Sequence, residues 1–370
     1  MAGKNKNFFI GGLLLCTILC VYVVRMYILS PSLFTFQFSP TRIEQYLKSQ
    51  DISHHVRGRV YLSDEDIHIA AGYLYAIGFD PTAFNFQHPP FIKYLYGYSI
   101  LFWNNPFFIQ LGFGMMLLIL TYIASFAITK KHWVACLASI FLLMDPVFTD
   151  LSQHALLDLG QAVFAFLYVL VQLYMPGAFI VQGIVLGILA ASKFWSTALF
   201  FIAAVAIYRF LKKTLIVKEF SIHLVVGFVT FCAIYINSFI NRAPFNIIFF
   251  QLKTLKYWFN HSVSSVPGDA VLLFTTGQFH MWWMNNTITR AAEWPIMWPI
   301  MCAMLLIAVY VFRKKVTPML FFSLVPLLFL LFISMQAPYM RYFVLILPYC
   351  YIMLFHMISL IIKKNKHSIS

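Results

Sequence analysis

Long apolar runs separated by short polar breaks organise this chain almost from end to end. They fall near 8–29, 106–128, 133–148, 157–175, 177–192, 194–211, 220–240, 294–312, 317–335 and 342–362. A bilayer core of ~30 Å takes about 20 apolar residues in helical form, and only helices or closed barrels satisfy the backbone in lipid. The runs are continuous and lack the dyad alternation of barrel strands, which selects helices. The pattern therefore predicts an all-α polytopic membrane protein with about ten transmembrane helices. The runs 133–148 and 177–192 are short, so one of them is a candidate re-entrant segment. The first run follows Lys4 and Lys6 as a signal peptide would, but no small-residue cleavage site comes after it, which predicts an uncleaved first helix.

Two polar stretches break this rhythm, at 30–105 and 241–293, and loops of such length are usually functional. The expected organisation is one integral-membrane domain over 1–370. It comprises a first helix (1–29), a long outer loop (30–105), a transmembrane core (106–240), a second long outer loop (241–293) and C-terminal helices (294–370).

Within the first loop, Ser63-Asp64-Glu65-Asp66 precedes Ile67, Ala71, Leu74 and Tyr75 at helical spacing. Ser63 with Asp66 has the form of a capping box. The spacing predicts an amphipathic helix resting on the bilayer surface, with Asp64 and Glu65 in its first turn and His68 one turn on. Acidic residues also favour helix N-termini for their dipole alone. A second motif, Gln87-His88-Pro89-Pro90-Phe91-Ile92-Lys93, precedes an aromatic-rich segment too short to span, 91–103, ended by Asn104-Asn105-Pro106. It predicts a second interfacial helix, with Lys93 near its start and snorkelling as the bland role of that lysine.

Composition sharpens this reading. Charged residues are 10% of the chain and mean hydropathy is +0.81. The net charge of +14 is not a nucleic-acid signature once its distribution is followed. With the N-terminus inside and sides alternating through ten spans, the inner segments collect 14 basic residues, from Lys4 to Lys366, and the single acid Glu219. The other 11 acids face out with the remaining 12 bases. This is the positive-inside rule, with both termini cytoplasmic. It places the chemistry outside. The six cysteines all fall in apolar runs and read as packing residues rather than a metal or disulfide set.

The motifs together resemble the GT-C glycosyltransferases, and more narrowly the protein O-mannosyltransferases and their bacterial relatives, the aminoarabinose and lipid A sugar transferases. The resemblance rests on the Asp64-Glu65 pair, His88-Pro89-Pro90 with Lys93, and Asn105-Pro106-Phe107. It continues through Asp145-Pro146, Leu157-Asp158, Ser192-Lys193-Phe194-Trp195, Trp294-Pro295 with Trp298-Pro299, and Arg341-Tyr342 with Pro348. The chain departs from the mannosyltransferase pattern where Phe86 and Gln87 replace an Asp, and where Gln153, beside His154, replaces an Arg.

The resemblance implies a polyprenyl-phosphate-linked sugar donor and a protein, lipid or glycan acceptor. No Walker or Rossmann glycine pattern is present to hold a nucleotide. It implies Asp64 as catalytic base and Glu65 as a positioning carboxylate. His88, Lys93, His154, Asp158, Lys193 and Arg341 are the candidates for donor phosphate or substrate binding, since isolated ionisable groups at helix mouths are usually functional. No metal is required; a divalent ion would use His68 and His88 with Asp64. Trp282, Trp283, Trp294 and Trp298 read as an interfacial belt or as sugar-stacking rings. Asn260-His261-Ser262 and Asn285-Asn286-Thr287 have the form of outward glycosylation sequons. Small size and no inserted soluble domain point to a prokaryotic inner membrane, with the endoplasmic reticulum as the alternative. A transporter or lipid flippase, and a noncatalytic member of the same fold, are the competing readings. The scarcity of mid-span charge and the lack of internal repeats count against transport.

Overall fold

The computed structural model describes residues 2–52, 58–241, 252–253, 255–256, 266–281 and 284–368. Among the described residues it is built of helices, with one small hairpin in the second long loop. The first helix, α1, is Ala2–Leu29. The first loop holds α2 (Thr41–Leu47), α3 (Asp64–Ala76) and α4 (Phe91–Trp103). The core follows as α5 (Phe107–Thr129), α6 (His132–Met144), α7 (Pro146–Gln153), α8 (Leu157–Tyr174), α9 (Phe179–Ala190), α10 (Trp195–Leu211) and α11 (Val217–Ile234). After α12 (Asp269–Thr276), strands β1 (Gln278–Met281) and β2 (Thr287–Arg290) pair antiparallel, with Phe279 opposite Thr289. The chain ends with α13 (Met297–Phe312), α14 (Pro318–Ile333), a 3₁₀ turn at Met340–Leu345, and α15 (Leu347–Ser368).

Among the described residues four helices are individually long and apolar enough to cross a bilayer: Phe9–Leu29 within α1, then α5, α8 and α11. The expected span at 133–148 is α6 and α7 together, bent by 62° where Asp145 caps the second helix and Pro146 starts it. Proline at the first helical position has no N–H to lose, so a new helix begins there without a missing bond. The other five expected spans are α9, α10, α13, α14 and the Leu347–Lys363 stretch of α15, apolar helical segments of under 18 residues. Their sequence runs extend into loops: Lys193, for instance, lies in the turn after α9 rather than on a helix.

Helix α8 forms the centre. It contacts α5, α9, α10 and the 3₁₀ turn, and it is buried along most of its length. Helices α9 and α11 pack tightly because Gly183, Gly187 and Gly227 bring their backbones together: a Cβ on Gly187 would strike the Gly227 carbonyl. Small residues at such contacts are the usual means of helix association in lipid.

Two expectations are corrected. Helix α3 is not the exposed amphipathic helix its spacing suggests: its residues from Ile67 to Gly72, together with Leu74 and Tyr75, are buried in protein. It lies against α4 at Gly72 and Gly97, where a Cβ on Gly72 would collide with the Lys93 carbonyl. Exposed apolar surface is found on α4, the second expected interfacial helix, whose C-terminal end leaves Tyr98, Leu101, Phe102 and Trp103 exposed. Trp298 is neither a belt residue nor a stacking surface. It is fully buried, and its indole N–H donates to Asp145 Oδ2 at 2.9 Å, beside the Tyr351 hydroxyl at 2.8 Å. Trp294 lies against Gly277 and donates to the Phe274 carbonyl. Trp282, Trp283 and the 260–262 sequon lie outside the described residues; Asn285 and Asn286 form the hairpin turn, both with positive φ.

Candidate active site

The site is assembled from five segments distant in sequence. Helix α3 supplies the first. The Ser63 hydroxyl accepts from the Asp66 amide at 3.1 Å and donates to its carboxylate at 2.8 Å, so the capping box forms and sets the helix start. Asp66 is held by Arg42. That leaves Asp64, the most exposed of the three carboxylates, with its side chain 59% exposed.

Arg341, in the 3₁₀ turn, reaches back to this carboxylate: Nη1 lies 3.2 Å from Asp64 Oδ2. Its Nε lies 3.9 Å from Asp158 Oδ2, at the mouth of α8. The other Asp158 oxygen holds Lys193 Nζ at 2.6 Å, and both of these side chains are almost wholly buried. The result is a continuous chain of charge, Asp64–Arg341–Asp158–Lys193, running from the exposed rim into the protein. Tyr342 and Phe194 wall it, with the Lys193 ammonium 4.8 Å and 5.1 Å from their ring centres. Burial lowers the Lys193 pKa to about 8, offset in part by Asp158. Burial would also lower that of Arg341, but Asp158, Tyr342 and Asp64 together raise it.

Glu65 turns away from the opening. Its Oε2 accepts the Ala155 amide at 2.9 Å, which ties α3 to the link between α7 and α8. Burial raises its pKa, and the Ala155 bond and nearby His154 counter the rise. His154 is exposed and binds Asp150 through Nδ1, a bond that raises its pKa to about 9. Gln153, at the position of the family's arginine, accepts from the Ser30 hydroxyl at 2.9 Å.

His68 and His88 face each other edge to face, with ring centres 5.8 Å apart, and His88 meets Phe194 at 5.0 Å. Enclosure lowers both pKa values well below the usual range, and Lys93, Lys193 and Arg341 add to the effect, so both rings are neutral at pH 7. Neutral imidazoles suit a metal, yet among the described residues no three His, Cys, Asp or Glu side chains gather as a metal set.

Lys93 lies apart in character. It is fully buried, and its ammonium meets the Asn85 carbonyl (2.9 Å), Asn85 Oδ1 (2.9 Å), the His88 carbonyl (2.7 Å) and the Tyr75 hydroxyl (3.3 Å). Four oxygens leave no proton for a phosphate, so here Lys93 fastens the His-Pro-Pro loop to α3 rather than facing a ligand. Asn85 and Tyr75 were invisible as site residues in the sequence. The one hint was their spacing around the Pro-Pro motif.

No protein-family model and no curated protein matches this chain. Its fold is matched among solved structures by ArnT from Cupriavidus metallidurans. The form bound to undecaprenyl phosphate aligns with a TM-score of 0.59 over 85% of this chain and 58% of that one, at 14% identity. The apo form aligns at 0.57 over 80% and 55%, at 13% identity. The chain thus spans somewhat over half the length of the ArnT it matches. It is an integral, multi-pass membrane protein with the GT-C fold of that protein, the fold its first-loop motifs resemble.

Proposed function

We propose that this protein is a glycosyltransferase that moves a sugar from a polyprenyl-phosphate donor to a hydroxyl of a protein, lipid or glycan at the outer face of a membrane, with no nucleic-acid partner. The reading takes the chain as one membrane domain with both termini cytoplasmic, in a prokaryotic inner membrane. The observation that carries it is the chain Asp64–Arg341–Asp158–Lys193 on an ArnT-like scaffold.

In the structure Arg341 occupies Asp64. A donor phosphate draws the guanidinium toward itself, since Arg binds phosphate with paired N–H groups, and Lys193 adds a second cation from below. Asp64 is then released as an acceptor. The acceptor oxygen attacks the anomeric carbon, the bond from that carbon to the phosphate oxygen breaks, and the electron pair leaves with polyprenyl phosphate. The acceptor proton passes to Asp64. The single displacement inverts the anomeric centre. Arg341 and Lys193 stabilise charge on the departing phosphate, where electrostatic help matters most. Glu65, bound to the Ala155 amide, fixes the start of α3 and so the position of Asp64. His88 and His154 flank the donor, and His68 supports His88.

The test is reconstitution in liposomes with a panel of polyprenyl-phosphate sugars, following release of polyprenyl phosphate. Turnover that requires Asp64 supports the reading. Donor binding without turnover would make the protein a noncatalytic member of the fold, and facilitated lipid movement without sugar loss would make it a flippase.

A further inference from the structure

A second cluster of polar groups lies at the opposite end of the helices from the candidate active site. Arg209, in the last turn of α10, is buried. Among the described residues no carboxylate lies within ion-pair distance of it, and Glu219 acts on it only at longer range. Its guanidinium meets two weak acceptors, Gln182 Oε1 at 3.3 Å and the Pro176 carbonyl at 3.5 Å. A buried cation with so little compensation is costly, and in membrane proteins such a group marks a ligand by default.

The neighbours are polar too, and the Gln172 amide oxygen beside them is itself buried without a partner among the described residues. His223, fully buried on α11, faces the Tyr168 hydroxyl (3.1 Å) and the Gln172 amide nitrogen (3.4 Å) through Nε2. Its other ring nitrogen faces the Phe220 carbonyl of its own helix. The buried Tyr208 hydroxyl has no hydrogen-bond partner among the described residues. Lys212, exposed, lies 5.7 Å from the Tyr208 ring. Arg209 and, one turn on, the exposed Lys212 therefore offer cationic donors at this end of α10, with no carboxylate among the described residues paired to Arg209.

Above this cluster, between α9, α10 and α11, runs an apolar groove of 370 Å³. It begins beside the cluster: Leu224 adjoins His223, Leu186 is one turn from Gln182, and Ile202 is two turns from Arg209, about 10 Å along the helix. Charge donors at the foot of an apolar trough match a lipid with an anionic head.

We propose that this end of the α9–α11 wedge binds a membrane lipid through its headgroup phosphate, with Arg209 and Lys212 on the phosphate and one hydrocarbon chain in the groove. Basic pockets between helices on the cytoplasmic side commonly take such headgroups, and the basic turn of Lys212, Lys213 and Lys218 adds the attraction. The site stands independently of the glycosyl-transfer reading. The groove also reaches Trp195, two residues past Lys193, so a lipid headed at the outer turn would compete for the same trough.

Native mass spectrometry of the delipidated full chain in detergent tests this, titrating dioctanoyl phosphatidylglycerol, dioctanoyl phosphatidylcholine and inorganic phosphate. The expected result is one phosphatidylglycerol bound more tightly than phosphatidylcholine and far more tightly than inorganic phosphate. Arg209→Gln weakens it about tenfold, the scale of a lost charged hydrogen bond, and Arg209→Lys restores part of this. Ala198→Trp, which fills the groove and leaves the cluster intact, weakens it as well and covers the case in which Arg209→Gln does not fold. Equal binding by inorganic phosphate, or binding untouched by Ala198→Trp, overturns the proposal. So does loss of phosphatidylglycerol in Lys193→Gln but not in Arg209→Gln, because the head then lies at the outer turn.

Discussion

Two buried lysines of the candidate active site, Lys193 and Lys93, divide its labour. Both are desolvated, and burial lowers both pKa values, to about 8 and about 7. Their partners differ. Lys193 binds a carboxylate that is itself bound to Arg341, and its ring-walled surroundings connect through Arg341 to the exposed Asp64. Lys93 is enclosed by neutral oxygens from Asn85, His88 and Tyr75. An ion pair can be exchanged for another ion pair when an anion arrives. A cage of carbonyls cannot, because opening it strands buried acceptors at about 1–3 kcal/mol each. Partner chemistry, more than position in a motif, separates a residue poised for a ligand from one that fastens a loop.

The comparison breaks most visibly at its exposed end. Asp64→Asn keeps shape and removes basicity, so transfer falls by about 10²–10⁴-fold, the scale of general-base catalysis. Its thermal unfolding in detergent stays near wild type, since an exposed pair with Arg341 is worth little. Full transfer by Asp64→Asn in a single-turnover assay would remove Asp64 from the chemistry. Next in size is the contrast between the lysines themselves. Lys193→Gln lowers transfer both by weakening donor binding and by removing a cation from the departing phosphate, read as a raised KM with a lowered kcat. Lys93→Met lowers the unfolding temperature, because it leaves the oxygens of Asn85, His88 and Tyr75 unsatisfied, at a cost of about 3 kcal/mol. A Lys93→Met protein that is as stable as wild type yet blind to donor would reverse the assignment. Gly72→Ala probes the same fastening from the other side. Its methyl group meets the Lys93 carbonyl, so overpacking costs about 1–3 kcal/mol without touching a charged group.

What the sequence disclosed follows this division. Asp158, Lys193 and Arg341 stood out because an ionisable residue at the edge of an apolar run has few structural reasons to be there, and Asp64 stood out in the acidic start of a helix within the first long loop. The cage around Lys93 did not, because neutral polar residues such as Asn85 and Tyr75 carry no periodic or charge signal. The burial of α3 was hidden for a related reason. Its spacing fits an amphipathic helix, and only tertiary contacts, the close approach at Gly72 and Gly97 among them, bury it from Ile67 to Gly72. Trp298 was misread because tryptophan beside a predicted span usually lies at the interface; its bond to Asp145 requires two runs far apart in sequence to meet. The ten apolar runs were legible as elements but not as lengths. Hydropathy continues through a turn such as 191–194, whereas the helical hydrogen-bond ladder stops there.

The smallest effect is also the finest test of the lysine contrast. Lys193 is charged below about pH 8 and loses its proton as pH rises through that value. Only the charged form offers the donor phosphate a cation, so donor affinity falls on the alkaline side, with a midpoint near 8 and a limiting drop of about tenfold for one charged hydrogen bond. Lys93, with a pKa near 7, would give a midpoint one unit lower if it were the residue on the phosphate. Replacing Lys193 by Arg, which stays charged through this range, removes the alkaline fall, whereas Lys93→Arg leaves it in place. Measuring donor KM from pH 6 to 9.5 in wild type and the two arginine variants identifies which ammonium meets the phosphate. An alkaline fall that persists in Lys193→Arg and vanishes in Lys93→Arg would exchange their roles.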